Sequence, residues 1–160
     1  MAIALLTLAL VGTACLAGTL ALGYRVAEQA ALVRTHFLAA LATTTILVMA
    51  HSFIMFFLIA TGVELKEMEK ARGWGDSFRR RTVAFKSRVF PLMTLAILLV
   101  MANFILGAAA HTRVIPGWLH GLLGWVTLIV CVLAVWREYR VLGENNRLIA
   151  EAGIRRAGRE

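Results

Sequence analysis

The chain alternates between long apolar stretches and shorter polar ones. Four of the apolar stretches are long enough to cross a bilayer as an α-helix, which takes about 20 residues. They cover residues 2–23, 36–64, 89–110 and 117–136. No internal repeat is evident in the residues themselves. The pattern predicts an all-α fold, an integral membrane four-helix bundle that forms a single transmembrane domain over residues 1–160.

The polar segment after the second stretch has its own predicted structure. The second helix is expected to continue out of the membrane to Arg72, because nothing before that residue breaks a helix, and Gly73-Trp74-Gly75 is expected to end it. Asp76 or Ser77 can then N-cap a second, basic helix. The apolar residues of that helix are expected to rest on the membrane surface, and they are Phe78, Phe85, Val89 and Phe90.

Composition and charge place these helices in a membrane. The chain is 60% hydrophobic, and its 17 Lys and Arg against 9 Asp and Glu give a net charge of +8. Eight of the basic residues lie between residues 65 and 90 and six between 137 and 160, whereas the two opposite connections hold only Arg25, Arg34 and Arg113. The positive-inside rule therefore puts the 65–88 loop, the 137–160 tail and both termini in the cytoplasm, with a bacterial cytoplasmic membrane as the expected location.

The same distribution of charge bears on the expected partners. Basic residues that flank membrane spans suit anionic lipid headgroups, so the 65–88 loop is expected to bind lipid and no nucleic acid is expected. The bilayer itself, other membrane proteins or further copies of the chain are the remaining expected partners. No basic residue precedes the first stretch, which favours a retained helix over a cleaved signal peptide.

Three of the four histidines are predicted to lie at one depth on the outer side. His36 begins the second stretch, His111 ends the third, and His120 lies about one turn into the fourth. In a four-helix bundle these side chains can converge. Neutral imidazole is a ligand for haem iron, copper and zinc, so the three residues are candidate ligands of a haem b or of a Cu or Zn ion.

The fourth histidine, His51, is predicted to lie much deeper. It follows His36 by 15 residues, which is about 22 Å along a helix. The spacing resembles that of di-haem membrane cytochromes, in which each of two helices supplies two histidines. A second site of that kind would need a histidine near position 135 or near position 96, where Val135 and Ala96 stand. His51 and Met55 share a helix face and form a weaker candidate site for Cu(I).

Besides a copper- or zinc-binding membrane protein that would use the same histidines, two classes of function follow from these residues. The first is a small membrane subunit that binds one b-type haem at the outer side and transfers electrons within a larger complex. The second is a non-enzymatic scaffold or accessory subunit, in which the histidines only bridge helices or meet water at the interface. Because the loops are too short for a catalytic domain, an electron-transfer or accessory subunit is favoured over a stand-alone enzyme.

Overall fold

The computed structural model describes residues 1–26 and 28–157, and these residues form four long helices and one short 3-10 turn, with no strand among them. All four helices are long and apolar enough to cross a membrane. The predicted all-α fold is thereby confirmed. The helices are α1 (Ala2–Val26), α2 (Val33–Arg72), α3 (Ser77–His111) and α4 (Gly117–Ala157), and the 3-10 turn is Ala30–Leu32.

The break between α2 and α3 lies where the sequence places it. Gly73 ends α2 in the left-handed conformation, with φ +62°, which glycine adopts without steric cost. Asp76 occupies the N-cap position of α3, but its side chain makes no capping hydrogen bond. Glu69 of α2 caps α3 instead, because its two carboxylate oxygens accept the backbone N–H groups of Phe78, at 2.6 Å, and Arg79, at 2.9 Å.

The basic segment differs from the predicted surface helix in two respects. The helix that begins at Ser77 is not separate from the third apolar helix, since α3 runs without interruption from Ser77 to His111 with Pro91 inside it. Its apolar side chains do not lie on an outer surface either, because Phe78, Phe85 and Val89 are buried in the core. The physical reason is that α2 and α4 both extend past their apolar stretches, to Arg72 and Ala157, so these side chains have helices to pack against.

The helices pack as two hairpins. α1 lies against α2, α3 lies against α4, the α2–α3 and α1–α4 pairs close the bundle, and α2 and α4 also contact each other across its diagonal. We call the end that carries the α1–α2 and α3–α4 connections the hairpin end, and the opposite end the terminal end.

The burial pattern of the first hairpin recurs in the second at a separation of 84 residues, the separation of the hydrogen-bonded pair Thr61 and Asn145. From residue 43 to residue 61, the buried positions of α2 are Thr43, Leu47, Ala50, His51, Ile54, Leu58 and Thr61. Their counterparts in α4 are all buried and are Thr127, Cys131, Ala134, Val135, Glu138, Leu142 and Asn145. In the same way Ala9, Gly12 and Leu16 of α1 correspond to Met93, Ala96 and Val100 of α3.

Contacts between equivalent residues locate an approximate twofold axis between α2 and α4. A residue can touch its own counterpart only at such an axis, and two pairs do so. Thr61 donates a hydrogen bond to Asn145 at 3.0 Å near the terminal end. His36 and His120 face each other near the hairpin end, with ring centroids 6.4 Å apart. The two hairpins are therefore quasi-equivalent halves of the bundle.

Candidate functional site

A pair of histidines lies on the approximate axis at the hairpin end. The rings of His36, from α2, and His120, from α4, stand at an interplanar angle of 77°. Each ring packs against a glycine of the neighbouring helix. His36 of α2 lies against Gly23 of α1, and His120 of α4 lies against Gly107 of α3. A Cβ atom added to Gly23 would lie 3.0 Å from Cε1 of His36, and one added to Gly107 would lie 3.1 Å from Cε1 of His120. The two glycines thus leave the space that the rings occupy.

Several polar atoms around this pair are buried without a hydrogen bond. The Nδ1 atoms of His36 and His120 and the Oδ1 atom of Asn103 have no partner among the described residues. The backbone of Thr19 lies beside the His36 ring, although Nδ1 makes no bond that satisfies hydrogen-bond geometry. Buried polar groups without partners are uncommon in folded proteins, and a cluster of them marks a place where a ligand or water completes the site.

The histidine pair opens into a cavity of about 1160 Å³ at the hairpin end. This volume exceeds that of most small-ligand pockets, which are about 300–1,000 Å³. Apolar side chains from all four helices form much of its wall. The polar residues that line it are Thr19, Tyr24, Arg34, His36, Thr43, Thr44, Asn103, His111, Thr112, Arg113 and His120.

The electrostatic character of the cavity favours an anionic group. Two arginines and three histidines line it, and no carboxylate does so among the described residues. Arg113 lies in the connection between α3 and α4 with φ +62°, the left-handed region that costs a non-glycine residue about 1–3 kcal/mol. Because such conformations cluster at ligand sites, the placement of Arg113 beside the cavity is consistent with a binding role.

His111 lies in the same cavity wall but apart from the pair. Its side chain is exposed at the last residue of α3, and it makes no ring contact with His36 or His120. The structure therefore brings together two of the three predicted outer histidines and leaves His111 beside them.

His51 belongs to a second polar site further towards the terminal end. Its Nδ1 atom lies 2.5 Å from Oε1 of Glu138 in α4, and both side chains are completely buried. Nε2 of His51 and Oε2 of Glu138 have no hydrogen-bond partner among the described residues. Met55, the other residue of the predicted Cu(I) site, is partly buried and packs against the main hydrophobic cluster.

Sequence reasoning missed Glu138, the partner of His51. Glu138 follows the fourth apolar stretch, in the segment 137–160 that the sequence predicts as a cytoplasmic tail, whereas α4 continues past it with the same buried face. The signal that would have found it is the helical spacing Cys131–Glu138–Asn145, which places one residue every seven on that face.

The described residues contain no group of three or more histidine, cysteine, aspartate or glutamate side chains that could enclose a metal ion. Two facing histidines would suit only an ion or cofactor that brings further ligands of its own. Comparisons with protein families, with curated proteins and with solved structures find no match to this chain. The fold and the site define its class as an all-α bundle of four potential membrane-spanning helices, with a histidine-lined cavity at one end.

Proposed function

We propose that the protein is a small integral membrane subunit with both termini in the cytoplasm. The helices expose large apolar side chains along the bundle, among them Phe56, Ile105 and Ile129, each more than half exposed. A surface of this kind suits lipid and not water. The basic residues gather at the terminal end, which the positive-inside rule assigns to the cytoplasm, so the cavity faces the outer side.

We propose further that the cavity binds one b-type haem, which His36 and His120 would hold. The observation that carries this proposal is the separation of the two rings. Two imidazole nitrogens about 2 Å from one metal ion would put the ring centroids roughly 6–6.5 Å apart, and the centroids lie 6.4 Å apart. Ligands on equivalent positions of two quasi-equivalent hairpins are also suited to a porphyrin, whose two faces are alike.

The remaining features of the site fit the same group. Gly23 and Gly107 leave the space that the two rings occupy, since a Cβ atom at either position would press on its ring. Arg34 and Arg113 in the cavity wall can pair with the carboxylates that a haem carries. When bound, the haem would accept and donate single electrons, and the apolar wall of the cavity would exclude water from it. The subunit would then pass electrons within a larger membrane complex.

An absorption spectrum of the purified protein, oxidised and reduced, tests the proposal. We expect a Soret band, reduced α and β bands and stoichiometric iron. His36→Ala and His120→Ala should each abolish the low-spin bis-histidine spectrum, whereas His111→Ala, a matched change of an exposed histidine in the same cavity, should retain it. Wild-type protein with neither the Soret band nor bound iron would refute haem binding.

The same samples discriminate the alternatives. Stoichiometric copper or zinc that is lost in His36→Ala would assign the site to a metal ion. A protein without cofactor, in which His36→Ala changes only assembly with other membrane proteins, would be a scaffold or accessory subunit.

A further inference from the structure

We propose that His51 and Glu138 form a buried proton-binding site, in which the two side chains hold one proton between them in addition to the imidazole N–H. Nδ1 of His51 and Oε1 of Glu138 are 2.5 Å apart, and neither side chain is exposed. The ligand of this site is the proton, and the inference does not depend on whether a haem is bound at His36 and His120.

The charge of the pair determines how many protons it holds. With no added proton the pair is a neutral imidazole and a carboxylate, with net charge −1. With one proton it is neutral overall, whether the proton resides on nitrogen or oxygen. With two it is an imidazolium and a carboxylic acid, with net charge +1. Since an uncompensated buried charge is strongly unfavourable, the state with one proton is favoured over both others.

Neither side chain of the pair contacts a further charged group among the described residues. Cys131, two turns earlier on α4, is a buried titratable side chain that interacts electrostatically with Glu138. The main hydrophobic cluster takes its buried residues of α1 and α3 from Ala9, Phe78, Phe85, Val89 and Met93, and none of these can ionise. Within the described residues, the pair is therefore its own source of compensating charge.

The position that the approximate twofold symmetry relates to this pair is apolar. His51 corresponds to Val135, and Glu138 corresponds to Ile54. The equivalent of the His51–Glu138 contact is therefore Val135–Ile54, and both of these residues are buried in the same hydrophobic cluster. The equivalent positions therefore hold two buried apolar residues in one half and two ionisable residues in the other. We infer that the ionisable pair is present for its proton and not for packing.

Each side chain of the pair has one further polar atom without a hydrogen-bond partner. Nε2 of His51 and Oε2 of Glu138 are buried and lack partners. With the shared proton between Nδ1 and Oε1, Nε2 carries the imidazole N–H and can donate a hydrogen bond to water, whereas Oε2 can accept a hydrogen bond or a further proton. Both belong to the site itself, which distinguishes it from a fully satisfied structural ion pair.

The test combines imidazole ¹⁵N NMR with infrared spectroscopy on the full-length protein in bicelles between about pH 5 and pH 9, a range that spans ordinary histidine titration. In wild-type protein we expect one of two signals throughout: an imidazolium pattern for His51, or a carboxylic-acid C=O band that Glu138→Gln removes. The exposed His111 serves as the internal reference. A neutral His51 ring together with an ionised Glu138 across this range would overturn the proposal.

The symmetrised variant His51→Val/Glu138→Ile is the matched control, because it copies the equivalent apolar pair. We expect it to fold with wild-type helix content and to lose the signal completely. If this variant does not fold, the polar pair is required for packing and the proposal is wrong. Should Glu138→Gln alone fail to fold, the wild-type NMR titration still decides, because a His51 ring that titrates along with His111 also overturns the proposal.

Discussion

Gly23 and Gly107 provide the sharpest test of the histidine geometry. A Cβ atom at Gly23 would lie 3.0 Å from Cε1 of His36, which is 0.4 Å inside the 3.4 Å at which ordinary van der Waals contact begins. At Gly107 the corresponding distance to His120 is 3.1 Å. A methyl group at either position must displace the ring by a few tenths of an ångström. Forcing a methyl group into a packed interior costs about 1–3 kcal/mol.

Gly18 is the control, because it lies on the same helix as Gly23 and a Cβ atom there meets no described atom within 4 Å. Alanine in place of a helical glycine stabilises a protein by about 0.5–1 kcal/mol when nothing opposes it. We therefore expect Gly23→Ala to be less stable than Gly18→Ala by about 1–3 kcal/mol. Reversible unfolding in mixed detergent micelles, followed by circular dichroism, measures the difference.

The same variants also address the proposed ligand. Gly23→Ala and Gly107→Ala should lower haem content or alter the low-spin spectrum, since each moves an axial ring, while Gly18→Ala should leave both unchanged. If all three variants behave alike in stability and in spectrum, the close packing of glycine on imidazole does not shape the site, and the reasoning fails.

Three further predictions concern other parts of the bundle. Glu69→Ala should destabilise the protein by about 1–2 kcal/mol in chemical unfolding, because two amide groups at the start of α3 lose their cap; an unchanged unfolding midpoint would contradict this. Partial burial lowers the pKa of Lys86, so the folded state disfavours the charge of this lysine. The stability of the protein should therefore rise as Lys86 loses its proton at high pH. Lys86→Met should abolish that rise and increase the melting temperature at neutral pH. For the buried pair, His51→Val and Glu138→Ile singly should each cost about 3 kcal/mol, whereas the double variant should be near wild type. A double variant that loses the sum of the two single losses would exclude coupling.

The ends of the helices show where sequence reasoning was adequate. The stop at Gly73 depends on a local property, the backbone freedom of glycine, and the structure confirms it. The cap of α3 depends on Glu69, a residue one helix away, and local reasoning assigned it to Asp76 or Ser77 instead. The core position of Phe78 was also missed, because it requires α2 and α4 to extend to the same height.

The candidate site, too, could be predicted only in part from the sequence. From the sequence, the apolar lengths determined the four helices, and the order of the stretches determined that His36, His111 and His120 gather at one end. Only the tertiary structure selected His36 and His120 as the facing pair and paired His51 with Glu138. These results depend on the rotation of each helix about its axis and on the axial offset between α2 and α4. Both are set by the packing of side chains distant in sequence, which no local pattern records.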